Sequence, residues 1–504
     1  MPKHLALLRL LMPVRVSIVN PPDLTGEIYF KEVSRCGRKS VAGEIWPQTG
    51  LAYLAATLEE AGHSVDFVDS MAEGIDVEAL RARITRFDPH LVVFNTITPT
   101  IVNDCEVMRR IHDPRRLWGC VGTHASVLPQ ETICNSGCDF TLINEAEDSI
   151  VEVAAALDRL GVDAIRADPP QGFAGVQGGI AHSDGNGGVA VTEKRKYIRD
   201  LDRLPLPARH LMPMDRYRMP FFPGERFATI IPSRGCPWTC TYCRAGQVYG
   251  SMVRVRRPES LVEEMRRLDE EHDCRAVVFM TDGLTFKPEW TKQVCEAIIE
   301  AKLRTRWICN SRVDCVTLDL LRLMKRAGCL MVSYGVESGS QAVLDLSKKH
   351  ITLQQSRDAI KWTRQAGLKS MAYFIIGLPG ETRETIEESK RFAREINPDY
   401  VNFHVATPFP GTELYDIAKS NGWLITEDWS QYEEEGSGVM RTGSLTPADL
   451  IRAQREAMRE FYMRPRRLMK EIFNIRSLSD FQAKFTAGMR VLRGHRRKEP
   501  VAAG

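Results

Sequence analysis

Residues 232–243 read PSRGCPWTCTYC and place Cys236, Cys240 and Cys243 at a C-x3-C-x2-C spacing. Thiolates are metal ligands, but three are too few for a closed tetrahedral zinc site, which needs a fourth Cys or His close by. None follows before His272. A disulfide staple has no use at such short spacing in a chain of 504 residues. Three thiolates on one loop do suit a [4Fe–4S] cluster that keeps one iron open to a ligand from outside the chain. Gly235 allows close backbone approach and Pro237 stiffens the loop. Cysteines that merely pack in a core have no reason to adopt this spacing.

The elements that must hold this loop are legible on both sides of it. From Val14 the chain alternates short β-branched runs with amphipathic helices: VRVSIV, GLAYLAATLEEAG, SVDFVD, a helix near 77–86, HLVVFNT, a helix from about 102, WGCVG, DFTLI and EDSIVEVAAAL. This pattern predicts an α/β domain with a doubly wound parallel sheet, Rossmann-like, over 1–160. Such sheets bind ligands beyond the carboxyl ends of their strands. Here those ends carry Asn20-Pro21-Pro22, Asp69, Asn95-Thr96-Ile97-Thr98-Pro99-Thr100, Gly122-Thr123-His124 and Asn144-Glu145. Residues 161–225 are rich in Gly and Pro and read as a linker, with a small hairpin. A second series, FATIIPS, AVVFMTD, RWICNS, LMVSYGVES, SMAYFIIGLP and YVNFHVATP, predicts a partial or full (β/α) barrel over 226–428, with the cysteine loop on its catalytic rim. Residues 429–504 read as a helical C-terminal region ending in the basic RVLRGHRRKEP.

Composition narrows the class. Charged residues make up 26% of the chain and the net charge is +3, too small for a nucleic-acid footprint. Thirteen cysteines, an odd and scattered set, fit a reducing compartment, and the expected location is the cytoplasm. LALLRLL near the start is broken by Arg9 and falls short of the roughly 18 apolar residues of a spanning helix. Residues 1–11 are read as an extra turn or as lying ahead of a true start at Met12.

CPWTCTYC resembles the radical S-adenosylmethionine (SAM) motif, C-x3-C-x-aromatic-C, and the likeness runs from 226 to about 425. In that family the open iron is chelated by the amino and carboxylate groups of SAM, which is the fourth ligand the loop lacks. Electron transfer from the cluster then yields a 5′-deoxyadenosyl radical. The resemblance implies cluster ligation by Cys236, Cys240 and Cys243. It implies SAM contacts from Tyr242, from Glu337 in VESGS, and from Gly377, Pro379 and Gly380 in FIIGLPGET. TPFPGT resembles the sixth-strand segment, also on the adenine side. Arg312 in CNSRVD is a candidate partner for the SAM carboxylate through its bidentate fork; a surface arginine is the alternative. Asp282 is the candidate for the SAM amino group, in a segment, FMTDGLTF, with Gly283 where relatives commonly have a second aspartate.

The first 160 residues resemble the cobalamin-binding domain that precedes the barrel in one large subfamily, through FNTITPT, GTHASVLPQETI and INEAEDSI. The resemblance implies cobalamin contacts from Thr96, Ile97, Thr98, Pro99, Thr100, Gly122, Thr123, His124, Asn144 and Glu145. The D-x-H-x-x-G signature is absent, so no histidine is expected to ligate cobalt from below. The alternative is a Rossmann-like domain that binds no cobalamin.

Together these segments resemble anaerobic magnesium-protoporphyrin monomethyl ester cyclases, through WPQTGLAYLAATLEEAG and TITPT, and hopanoid-associated radical SAM proteins. The implied activity is a cobalamin-dependent C-methyltransferase acting on an unactivated carbon of a lipophilic or secondary metabolite. A radical oxidative cyclase is the alternative. A tRNA-modifying methylthiotransferase would need a second cysteine triad in its N-terminal domain and an RNA-binding β-domain; Cys36, Cys105 and Cys120 lack that context. The expected partners are a small-molecule substrate and an electron donor such as flavodoxin or ferredoxin, with no nucleic acid. The segment RPRRLMKEIF allows at most peripheral membrane contact.

Overall fold

The computed structural model describes residues 13–31, 38–40, 43–433, 438–465 and 469. The first 11 residues, Cys36, most of RPRRLMKEIF and the basic tail lie outside the described residues.

The first domain is built on β1 (Arg15–Asn20), followed by a small antiparallel pair, β2 (Tyr29–Phe30) and β3 (Arg38–Lys39). Then come β4 (Ser64–Asp69), β5 (Leu91–Asn95), β6 (Leu117–Val121) and β7 (Phe140–Leu142). These pair in parallel in the order β4-β1-β5-β6-β7, with the order reversing between β1 and β5. The strands read as continuous apolar runs because both faces are covered. Leu91 and Val93 of β5 enter the large core on one face, and Val92 and Phe94 enter a second core on the other.

The region read as a linker is corrected in part. Its hairpin, β8 (Ile180–Ser183) and β9 (Val189–Val191), continues the first sheet as two antiparallel strands beside β7. Beyond the hairpin the chain is packed against both domains. The Ala208 amide donates to the Ala52 carbonyl, the Tyr217 hydroxyl to Asp69, and the Arg209 guanidinium to the Thr229 carbonyl and to Glu264.

The second domain has six parallel strands in sequence order: β10 (Phe227–Ile230), β13 (Ala276–Phe279), β14 (Arg306–Ser311), β15 (Cys329–Glu337), β16 (Lys369–Ile376) and β17 (Tyr400–Val405). β17 does not return to β10, so this is a partial barrel. A short hairpin, β11 (Ser233–Arg234) and β12 (Arg254–Val255), brackets the cysteine loop. The described part of the C-terminal region ends in a helix. Trp429–Gln431 form a short turn, isolated bridges pair Leu424 with Met440 and Thr442 with Leu445, and the helix begins at Pro447, where Thr446 and Asp449 make a reciprocal cap. That helix, Pro447–Tyr462, lies along β17: Gln454 Nε2 donates to the Phe403 carbonyl, and the Tyr462 hydroxyl bonds both the amide and the carbonyl of Val401. Among the described residues no helix is long and apolar enough to cross a membrane.

Candidate active site

The cysteine loop is tied down by backbone. The Cys236 amide donates to the Gly250 carbonyl at 3.0 Å, Thr241 N to Ser347 O at 3.1 Å, and Leu414 N to Thr241 O at 2.8 Å. Gly235 has φ +99°, and a Cβ there would lie 2.2 Å from the Met252 carbonyl oxygen, so only glycine lets the loop turn against that segment. Burial pushes the Cys236 thiol up to about 11, so a metal bound there would displace a proton. Among the described residues no three His, Cys, Asp or Glu side chains gather tightly enough for a single metal ion. A cluster needs a wider set, because each thiolate binds a different iron. The donor set, three thiols on one anchored loop, fits it.

Around this loop the ends of β13 to β16 collect the other candidates. Arg312 is buried, which removes the surface alternative. Its guanidinium bonds Asp314 at 2.9 and 3.0 Å and the Lys349 carbonyl at 2.8 Å, lies over the Trp238 ring at 4.2 Å, and has Nη1 4.0 Å from Cys240 Sγ. Its fork is thus held by Asp314, and Nη1 faces the cysteine loop. Trp238 in turn meets the edge of Phe286. Phe286 explains Gly283: a Cβ there would fall 1.9 Å from the Phe286 ring. Asp282 is close enough for its charge to raise the Cys236 thiol.

Glu337 sits at a bulge at the end of β15, with φ +67°. Its carboxylate is paired at 2.6 Å with Lys349, a residue that no spacing in the sequence singles out. Gly335 makes room for this pair, since a Cβ there would meet Glu337 Oε1 at 2.2 Å. The Tyr242 hydroxyl is buried, and burial followed by the Glu337 charge pushes its pKa up. After β16, Gly377 and Pro379 are buried and Gly380 is exposed, with Gly377 and Gly380 at φ +99° and +81°. The Gly377 amide donates to Glu381 at 2.7 Å. Burial raises the Glu381 carboxyl to about 7.

The carboxyl ends of β5 and β6 form the opposing edge. Thr96 and the turn Thr98–Thr100 are buried, as is Ile97. Gly122 has φ +126°, and a Cβ would lie 2.1 Å from the Thr96 carbonyl oxygen, so the two loops touch backbone to backbone. His124 is fully buried: Nδ1 meets the Thr98 hydroxyl at 3.3 Å, Nε2 lies 3.9 Å from Glu131, and the ring packs edge-on to Trp429. Burial and then the Arg244 charge hold its pKa down to about 3, so it is neutral. Asn95 Oδ1, Thr123 Oγ1 and His124 Nε2 are buried without hydrogen-bond partners. Unsatisfied hydroxyl, amide and imidazole groups beside a glycine loop fit a corrinoid rimmed with amides. Asn144 adopts φ +61° and its amide donates to Ser126. Glu145 differs from its expected role: its carboxylate bonds Arg254, Arg234 and the Ile198 amide, and so is committed to the domain interface.

That interface brings both edges together. Arg234, on the hairpin bracketing the cysteines, also bonds Glu147 at 2.6 Å. Gly411 of TPFPGT lies against Val127, and its carbonyl accepts from Gln247. Arg244, next to Cys243, donates to the Thr123 carbonyl and lies 3.4 Å from the Thr98 hydroxyl.

Comparison with known proteins agrees with this geometry. Residues 230–393 match the radical SAM superfamily and residues 37–154 the B12 binding domain. A Pyrococcus horikoshii protein described as an uncharacterized methyltransferase is 31% identical over 438 residues, covering 86% of this chain and 92% of its own. The chain belongs to the cobalamin-binding radical SAM family. The anaerobic magnesium-protoporphyrin IX monomethyl ester cyclase of Rubrivivax gelatinosus is 30% identical over 85% of this chain and 75% of its own. TsrM from Kitasatospora setae, a radical SAM methyltransferase solved with cobalamin and a [4Fe–4S] cluster, shares the fold at TM-score 0.66 over 90% of both chains, with 17% identity. This radical SAM enzyme therefore carries the two domains whose cofactors are a [4Fe–4S] cluster with SAM, and cobalamin.

Proposed function

We propose that this enzyme transfers a methyl group to an unactivated carbon of a small, lipophilic molecule. The observation that carries the reading is the direct contact of the cysteine loop, through Arg244, with the loops that end β5 and β6. Two cofactors acting on one carbon must lie within reach of it, and a freely tethered domain does not achieve that. In this reading Cys236, Cys240 and Cys243 hold the cluster. Tyr242, Asp282, Arg312, Glu337, Gly377, Pro379 and Gly380 border SAM, and Lys349, 2.6 Å from the Glu337 carboxylate, fixes its orientation. Thr96 to Thr100, Gly122, Thr123, His124 and Asn144 border the corrinoid, and Glu145 positions that edge from behind. Bound there, the cofactors supply an electron for SAM cleavage and a methyl group for transfer. The packed interface keeps water from the reacting carbon. A flavodoxin- or ferredoxin-type donor, a cytoplasmic location, no nucleic acid and at most peripheral membrane contact complete the proposal.

Anaerobic reconstitution with iron, sulfide and hydroxocobalamin tests it. The chain is expected to bind about four irons and one cobalt, and the C236A/C240A/C243A variant to lose the brown absorbance and SAM cleavage. A full cluster in that variant would refute the assignment. The similarity to the Rubrivivax cyclase favours a second reading, oxidative cyclisation. A methyltransferase releases S-adenosylhomocysteine beside 5′-deoxyadenosine, whereas a cyclase releases 5′-deoxyadenosine alone.

A further inference from the structure

We propose that Arg244 is a positioning residue that makes the cluster site and the corrinoid site a single linked unit. The inference rests on the assignment of those two sites made above. Arg244 follows Cys243 directly, so whatever fixes the Cys243 sulfur fixes the Arg244 backbone. Its side chain leaves the barrel altogether. Nη2 donates to the Thr123 carbonyl at the end of β6, and Nη1 approaches the Thr98 hydroxyl at the end of β5. That hydroxyl also meets His124 Nδ1, so one fork spans both corrinoid loops and reaches the imidazole between them. Arg244 is 3% exposed, so water has little access to screen these bonds. A planar fork with fixed donors holds two acceptors at a set separation; a lysine ammonium does not.

The consequence is energetic. A cysteine loop without its cluster leaves the backbone of Arg244 less constrained, and the two threonine loops share that freedom. Filling one site orders the fork, so the ordering needed for the second site is already complete. Each cofactor therefore tightens binding of the other, by the same factor in both directions.

The test is equilibrium dialysis of the full chain against hydroxocobalamin, with bound cobalt counted by metal analysis. It compares protein reconstituted with the cluster to the same protein stripped of iron. Wild type is expected to bind at least about five-fold tighter with the cluster in place. Arg244→Gln is expected to bring that ratio close to one while it still loads iron and still takes up cobalamin. A merely structural role would weaken both states alike and leave the ratio unchanged. An Arg244→Gln ratio equal to wild type, or a wild-type ratio of one, overturns the proposal. Should Arg244→Gln not fold, Thr98→Val carries the test, and an unchanged ratio there overturns it. A wild type that takes up no cobalamin in either state fails at the site assignment itself, and the inference falls with it.

Discussion

Glu381 is a carboxyl buried beside glycine backbone, with the Gly377 amide and the Thr385 hydroxyl as donors. Burial raises it from the ordinary 4.5 to about 7. Between those values the folded chain keeps a proton that the unfolded chain has released. Stability is therefore fully present below about 4.5 and falls as pH rises to 7. The loss is on the order of 3 kcal/mol. Glu381→Gln keeps the acceptor for Gly377 without the charge, so its melting temperature should fall less than that of wild type between pH 5 and pH 8. Equal falls would remove Glu381 from the account. The three cysteines stand out in the sequence because their chemistry depends on local spacing. Glu145 was misread because a carboxylate at a strand end looks like a ligand-facing group when its partners, Arg234 and Arg254, stand 89 and 109 positions away.

At the scale of elements, nearly every strand was legible, since runs such as LVVFN and RWICNS are apolar, β-branched and bounded by turns. The hairpin β8–β9 was not assigned to the sheet. Its strands are short, its turn is the glycine-rich SDGNGG, and nothing local says that an antiparallel pair joins a parallel sheet. Nor does any local pattern say that Arg244 reaches loops more than a hundred residues upstream. Gly411 marks where two such elements meet. It has φ +82°, and a Cβ would lie 2.6 Å from Val127 across the interface. Gly411→Ala should cost roughly 1 kcal/mol in backbone strain and more from the clash. It should also weaken hydroxocobalamin uptake, because Val127 closes the short helix that begins at Thr123 and carries His124. Unchanged melting and uptake would show that the two edges do not pack as described.

For the whole molecule, one core runs through both domains. It includes Val16 and Leu54 of the first domain, Met212, Tyr217 and Phe222 of the connecting segment, and Phe227 and Trp307 of the barrel. Two domains sharing a core and a buried Arg–Glu network have no natural line along which to separate. Heat capacity scans should show one unfolding transition, coincident with loss of tryptophan fluorescence. Two resolved transitions would contradict the shared core.

The barrel's openness has a further consequence for solubility. A sheet that does not close leaves its last strand with unpaired amides and carbonyls, a template on which a second chain can add. Here the helix Pro447–Tyr462 guards that template, with Gln454 and Tyr462 occupying backbone positions of β17 that an incoming strand would use. The same helix lays Leu450 against Gly377, so one element shields the strand edge and backs the loop that follows β16. A chain shortened before Pro447 would keep every candidate ligand and still be expected to self-associate, visible as light scattering at concentrations where the full chain stays clear. Without its guard, the strand edge becomes a place for the protein to polymerise.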